Sequence, residues 1–328
     1  MYAILHRSQL TAMGVREAEL ARALACCLVR ICRGRYTVAR QCEEPRHAPL
    51  RIFAGDPAVT LAGELQGLRG DVERLRRQIA ARREDLPPGA VFSHLTAALI
   101  HGLPLVTVPG TAVEAVQEGR SRTRNGWRVR SRAVPAEQTE VAGGYAVTTK
   151  VRTLLDVARD HPLLVSVPML DSAFREEAEL EAAVGALVDA EVPRRFRGTV
   201  RAALALADGV RESPAESVCA VRFLEHGIMG FEPQVRICDE AGREVGRVDF
   251  AHREAMIAVE VDGEEKYGLD GQDPQERFRA EREREYALRN LGYRPFRLRW
   301  EDLFRAKVFL QIRHALVLGT VPGAPGRG

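Results

Sequence analysis

Lysine is nearly absent from this 328-residue chain: of its 48 basic residues only Lys150, Lys266 and Lys307 are lysine, the rest arginine. The skew reads as a coding bias. A lysine kept against it is a candidate for a task that a forked guanidinium performs badly, such as placing a compact point charge beside a water or a phosphate. Long apolar runs are missing too, and with them any span of about 20 residues that could cross a membrane. The opening run Met1-Tyr2-Ala3-Ile4-Leu5-His6-Arg7 lacks the apolar core and cleavage site of a signal peptide, so a cytoplasmic location and no membrane partner are expected. The six cysteines (Cys26, Cys27, Cys32, Cys42, Cys219 and Cys238) include no pair at the two-residue spacing that zinc sites favour. The clustering of four between residues 26 and 42 leaves a metal site open, but reduced, mostly buried thiols are the expectation.

A net charge of +3 neither requires nor excludes a nucleic-acid partner, but the charge is unevenly spread. The first fifty residues hold eight arginines against four glutamates. Residues 8 to 40 read as helix, turn, helix and hairpin. Ser8 can cap a helix through Met13, which Gly14 ends, and Val15 to Val29 carries a second helical pattern. Leu28 to Cys32 and Tyr36 to Val38 then flank the turn Arg33-Gly34-Arg35. This is the order of a winged helix-turn-helix, with Arg16 and Arg22 on the second helix and Arg33 and Arg35 at the wing tip as candidate DNA contacts.

Asp56-Pro57 opens a polar connecting helix that Pro87-Pro88-Gly89 breaks. Beyond it, Ser93 opens an apolar helix, with strand-like pieces at Leu105 to Val108, Trp127 to Arg130 and Tyr145 to Thr148, and Thr149 caps a further helix. His94 and His101 have no third ligand in view and are expected to pack or cap. Asp156 and Asp171 stand isolated and are assigned no chemistry.

From about residue 211 the pattern changes. Pro214-Ala215-Glu216-Ser217 starts a helix ended by Gly227, with strands after it at Gln234 to Cys238, Val245 to Ala251 and Met256 to Val261. If the turn at His252-Arg253-Glu254-Ala255 pairs Ala251 with Met256, Asp249 lies opposite Ala258, with Glu260 diagonal to it. Asp249, Glu260 and Asp262 then project from one face. Glu260 sits in an apolar run and calls for a partner, because a buried carboxylate without a cation or hydrogen bonds is costly. Mg²⁺ (or Mn²⁺) suits such a pair, so Asp249 and Glu260 are the expected metal ligands, with Lys266 at the strand exit, Glu216 as a third acid and Asp262 as a fourth. The helix 274 to 291 alternates arginine with glutamate and reads as a salt-bridged solvent face, from which Arg282 and Arg284 could grip phosphates.

The motifs Arg247-Val248-Asp249-Phe250, Glu260-Val261-Asp262-Gly263, Lys266-Tyr267 and Glu281 to Glu285 resemble a PD-(D/E)xK domain. So does the stretch Leu288 to Tyr293 with Arg297 and Trp300. The likeness is to the very-short-patch-repair-like endonuclease domains of actinobacteria and covers about residues 211 to 305. It implies an Asp and a Glu on adjacent strands, then a helix and a last strand. The family's lysine stands two residues after the Glu, where this chain has Asp262, so Lys266 would have to supply the ammonium from further on. The earlier region, with Ser93-His94-Leu95-Thr96-Ala97-Ala98, His101-Gly102-Leu103-Pro104 and Thr148 to Ala158, resembles the AbiEi-type antitoxin architecture. That likeness implies self-repression of a promoter and a cognate toxin as partner.

The expected fold is a multidomain α/β protein: a winged helix-turn-helix (1–50), a connecting helix (51–89), a middle α+β domain (90–205), a restriction-endonuclease-like α/β domain (206–318) and a disordered tail (319–328). The expected activity is Mg²⁺-dependent cleavage of DNA, for which a symmetric duplex cut would favour a homodimer. The alternative is an antitoxin-like repressor whose nuclease-fold domain is inactive.

Overall fold

The computed structural model of the chain describes residues 3–54, 67–108, 110, 112–262 and 274–319, with residues 274–281 described by their backbone alone. They divide into two compact units, Met1–Asp156 and Val157–Gly328. Helices accompany three sheets of three, six and four strands, so the chain is mixed α/β. No described helix is long and apolar enough to cross a membrane.

The first unit begins with β1 (Leu5–His6), α1 (Arg7–Ala12), α2 (Glu17–Leu24), β2 (Leu28–Cys32) and β3 (Arg35–Val38), in a sheet of order β1-β3-β2. Gly14, at φ +83°, turns the chain between the helices, a conformation that costs glycine little. Leu10, Val15, Ala23, Leu28, Tyr36 and Leu50 form one core beneath them. The second helix stops five residues short of the expected Val29. Ala25, Cys26 and Cys27 turn, and Leu28 starts a strand whose β-branched Val29 and Ile31 favour extended backbone.

Residues 55–66 of the expected connecting helix lie outside the described residues. Its remaining part is α3 (Gly67–Arg82), polar yet partly buried because its charges pair: Arg77 Nε donates to Glu73 Oε1 at 3.0 Å, both side chains nearly inaccessible. Gln78 Nε2 donates to the Ile31 carbonyl of β2 at 2.7 Å.

Next come β4 (Val91–Phe92), α4 (His94–Ile100), β5 (Val113–Gln117), β6 (Arg122–Arg124), β7 (Trp127–Ser131), β8 (Thr139–Ala142) and β9 (Tyr145–Thr148), in a sheet of order β6-β7-β5-β4-β9-β8. The expected strand at Leu105–Val108 is irregular chain; the strand is β5, several residues on. There Glu114 is buried and held by Arg130 Nη1 at 2.8 Å. His94 is fully buried against the Ser93 hydroxyl (2.8 Å), and His101 Nε2 meets the Thr148 carbonyl at 2.7 Å. Asp156, on α5 (Lys150–Asp160), is 1% exposed between the guanidinium groups of Arg132 and Arg152.

The second unit contains α6 (Leu163–Glu176), α7 (Glu179–Glu191), α8 (Arg194–Leu206) and α9 (Pro214–Glu225), then β10 (Glu232–Cys238), β11 (Glu244–His252), β12 (Ile257–Asp262), α10 (Pro274–Asn290), β13 (Arg294–Arg299) and α11 (Ala306–Gly319). The sheet order is β10-β11-β12-β13. The first two pairings are antiparallel and β12–β13 is parallel, as a connection long enough to include α10 permits. Val235, Ile237, Val248, Ala251 and Ala258 pack with Leu288 of α10.

From α9, Phe223 stacks on Phe231 (4.7 Å between ring centroids) and meets Phe250 and Phe309 edge-on. His226 lies flat on Phe309, and its buried Nε2 has no hydrogen-bond partner. Desolvation, then the nearby Arg222, lowers its pKa. A histidine whose folded pKa is depressed contributes stability above its unfolded pKa of about 6.5 and loses it as pH falls through that value toward the folded one. Urea midpoints of the wild type should therefore fall as the pH is lowered from about one unit above that value to about one unit below it, and His226→Phe should flatten that part of the slope. An unchanged slope would sink the assignment.

Candidate active site

The sequence pattern suggests that Ala251 pairs with Met256. In the structure Ala251 pairs with Ala258 and His252 with Ile257: the turn keeps four residues but moves one place on, to 253–256, where Met256 takes a left-handed conformation (φ +50°). The shift is two residues, so side-chain parity is kept and the acids move closer. One step beyond the end pair of this ladder, Phe250–Val259, Asp249 comes level with Glu260 instead of diagonal to it. The backbone ladder stops at that point, and the Asp249 carboxylate takes over as acceptor for the Val261 N–H at 2.7 Å.

A polar row crosses the sheet there. Gln234 of β10 stands between the pairs Pro233–Phe250 and Val235–Val248, and is therefore opposite Asp249. Glu260 pairs in register with Arg297 of β13. Gln234, Asp249, Glu260 and Arg297 thus occupy one level on four successive strands.

Glu216 approaches the row from the first turn of α9 and is 4% exposed. Its carboxylate accepts from the Ser213 hydroxyl (2.7 Å), the Glu212 N–H (2.9 Å) and Gln234 Nε2 (2.6 Å), and Ser213 Oγ accepts the Glu216 N–H in return. That is a reciprocal cap on the helix start which also fixes Gln234. The strained backbone of Gln234 (φ +53°) places its amide in this bridge and leaves Oε1 buried without a partner. Gln234 is invisible as a site residue in the sequence, because a glutamine at a strand start carries no signal of its own.

Arginines meet the remaining acids. Arg284 of α10 reaches Glu260 Oε1 at 2.6 Å, donates to the Arg247 carbonyl at 3.1 Å, and crosses close over Gly246, whose missing side chain leaves it room. Arg297 holds Asp262 through both carboxylate oxygens, Nε on one and Nη2 on the other at 3.2 Å. Arg247 pairs with Glu212 at 2.6 Å, and its pKa is raised by that partner first. Lys266 lies outside the described residues. Among the described residues the four acids do not gather into a group of three ligand atoms; a cluster that does so lies at Cys26, Cys27, Cys42 and His47 instead.

The expected DNA contacts divide. Arg16, Arg22 and Arg33 lie at the N-terminal end of α2, on α2 and at the hairpin tip, all three exposed. Arg35 is not at the tip: it is 9% exposed, donates to the Ala81 carbonyl and reaches Asp85 at 2.5 Å, an inward anchor between hairpin and α3. Asp85 also raises its pKa. Arg282 is exposed and donates to the Tyr286 hydroxyl at 2.9 Å, whereas Arg284 is engaged with Glu260.

No protein-family model matches the chain, and no curated protein matches its sequence. Among solved structures it is similar to the RV2827C protein from Mycobacterium tuberculosis, with a TM-score of 0.36 and 17% identity over 67% of this chain and 75% of that one. At that level the likeness bears on neither site.

Proposed function

We propose that the second unit is a metal-dependent endonuclease domain of the PD-(D/E)xK type and the start of the chain a winged helix-turn-helix that binds DNA. One observation carries the reading: Asp249 and Glu260 come level on adjacent strands where the backbone ladder opens, with Glu216 bridged to the same row through Gln234. A mixed sheet with the two acids on adjacent strands, then α10 and a last strand, agrees with what that resemblance implies.

The donor set fits a hard divalent cation. Two carboxylates suffice for Mg²⁺, which keeps several of its waters, and the orphaned Gln234 Oε1 is a third oxygen donor in the row. Bound there, such a cation supplies charge neutralisation at the phosphate and a water of lowered pKa. The chain's own residues do the rest. Asp249 and Glu260 hold the site, Glu216 orients Gln234, and Arg284 exchanges its pairing with Glu260 for the substrate phosphate. The cation that the resemblance expects at position 262 is supplied by Lys266 or by Arg297, which Asp262 already holds at this end of β12.

The second reading, a DNA-binding repressor with an inactive nuclease fold, is favoured by the Arg284–Glu260 pair, which neutralises the acid without any metal. Incubating supercoiled plasmid with the protein and Mg²⁺ or Mn²⁺, beside Asp249→Asn and Glu260→Gln, separates the two. Metal-dependent nicking that both variants lose supports the enzyme, and intact plasmid in every lane supports the repressor.

The N-terminal module has its own test. Arg33→Ala should weaken DNA binding roughly uniformly across sequences and lower the salt slope by about 1. Arg35→Ala should instead lower the melting temperature, since its guanidinium is committed inward. Equal effects of the two on binding, with no loss of stability, would refute the assignment.

A further inference from the structure

The cysteines near the N-terminus are spread through the sequence as an adjacent pair and a third thiol beyond a hairpin, yet the fold collects them. Cys26 and Cys27 turn out of the end of α2, where the Cys27 N–H still bonds the Ala23 carbonyl at 2.9 Å. The chain runs through β2 and β3 and returns, and the Ala39 N–H bonds the Cys27 carbonyl at 2.7 Å. Cys42 arrives in the loop after β3, and His47 in the 3-10 segment Pro45–Phe53. Their ligand atoms, three Sγ and one imidazole nitrogen, all lie within 4.8 Å of one another. His47 Nδ1 is 3.2 Å from Cys42 Sγ and 3.6 Å from Cys27 Sγ.

Around a tetrahedral zinc with Zn–S of about 2.3 Å and Zn–N of about 2.05 Å, neighbouring ligands stand about 3.8 Å apart for two sulfurs and about 3.6 Å for sulfur and nitrogen. The two sulfur–nitrogen separations fall at or just inside that edge. The surroundings also suit a closed site. Cys27 and His47 are 2% and 4% exposed, and Cys26 and Cys42 are half-buried. Arg51 Nε donates to the Cys42 carbonyl at 2.8 Å, which ties the loop and sets a cation beside what would be three thiolates. All six cysteines are free thiols, so no disulfide competes for these sulfurs.

We propose that Cys26, Cys27, Cys42 and His47 form a structural zinc site that fastens the end of α2 to the chain leaving β3. Three thiolates and an imidazole select a borderline-soft tetrahedral ion, and four protein ligands leave no open position, so the site stabilises the module and has no catalytic vacancy. It stands on different residues from the acid row, and its fate is independent of whether the protein cleaves DNA. Cys32, in β2 outside the cluster, is the built-in control.

The test is metal content of the full-length protein, expressed with added zinc, purified with reductant and measured by plasma mass spectrometry. About one zinc per chain is expected, kept in Cys32→Ser and reduced at least about tenfold in Cys42→Ser and in His47→Ala. Should those variants fail to fold, cobalt added to metal-stripped wild type decides. Intense visible ligand-field bands with near-ultraviolet thiolate charge-transfer bands, displaced by zinc, are expected. Metal-free wild type with no tetrahedral cobalt spectrum would overturn the proposal. So would zinc retained in both ligand variants, or a disulfide joining two of these cysteines in protein purified with reductant.

Discussion

Asp249→Asn protein should bind DNA as the wild type does and nick plasmid at least about 100-fold more slowly with Mg²⁺ or Mn²⁺. Loss of residues that merely support metal ligands already costs about 10- to 100-fold, and a carboxylate that binds the ion directly should cost no less. Asparagine is the informative change because Asp249 does two jobs. Its Oδ2 is also the acceptor for the Val261 N–H, on a residue 2% exposed. Alanine would strand that donor, at about 1–3 kcal/mol, and mix lost stability with lost chemistry. Asparagine keeps an oxygen for the N–H and removes only the charge. Asp249→Asn should therefore melt close to wild type, while Asp249→Ala melts lower and cleaves no better. An Asp249→Asn protein that still cleaves would sink the site assignment. One that neither cleaves nor folds would show the acid to be structural, and the repressor reading would then take over.

Much of this site is legible in the sequence because its signals are local. Asp249 and Glu260 sit in strands marked by alternation and by the turns around them. Parity survives a two-residue error in register because a strand repeats every two residues. The hidden features are non-local or lack a periodic signature. Lys266 stands out by its rarity, yet Arg284 and Arg297, ordinary members of an arginine-rich chain, are the cations found on Glu260 and Asp262. Arg35 resembles a wing-tip contact from its place beside Gly34, and only Asp85, fifty residues on, shows that it turns inward. Glu114 disguises β5, since a charged residue in mid-strand reads as surface until Arg130 is seen beside it. The cysteine–histidine cluster is hidden because its spacing matches no common zinc pattern; its ligands meet only after a hairpin has folded between them.

Asp171 is the extreme case of an acid that looks idle in the sequence, and its replacement should have the largest effect on stability. It lies on α6, 1% exposed, with Arg211 Nη1 at 2.5 Å and the Asp208 N–H at 2.9 Å. Arg211, 5% exposed in the chain leading to α9, also donates to the Leu206 carbonyl at 2.8 Å and leaves Nε buried without a partner. Both charges have been taken out of water, so the pair itself contributes little net stability, whereas removing Arg211 strands Asp171, and removing Asp171 leaves Arg211 with the more exposed Asp208 at 3.0 Å as its carboxylate partner. Asp171→Leu or Arg211→Met should each cost about 3–5 kcal/mol, a fall in melting temperature of order 10 °C for a unit of this size. The double change Asp171→Leu/Arg211→Met should recover much of that loss, because it leaves no buried charge behind. Thermal melts of the four proteins give the coupling directly. Single changes costing under about 1 kcal/mol would mean that water reaches the pair, and additive losses in the double would mean that its hydrogen bonds to Leu206 and Asp208 carry the stability instead of its charge.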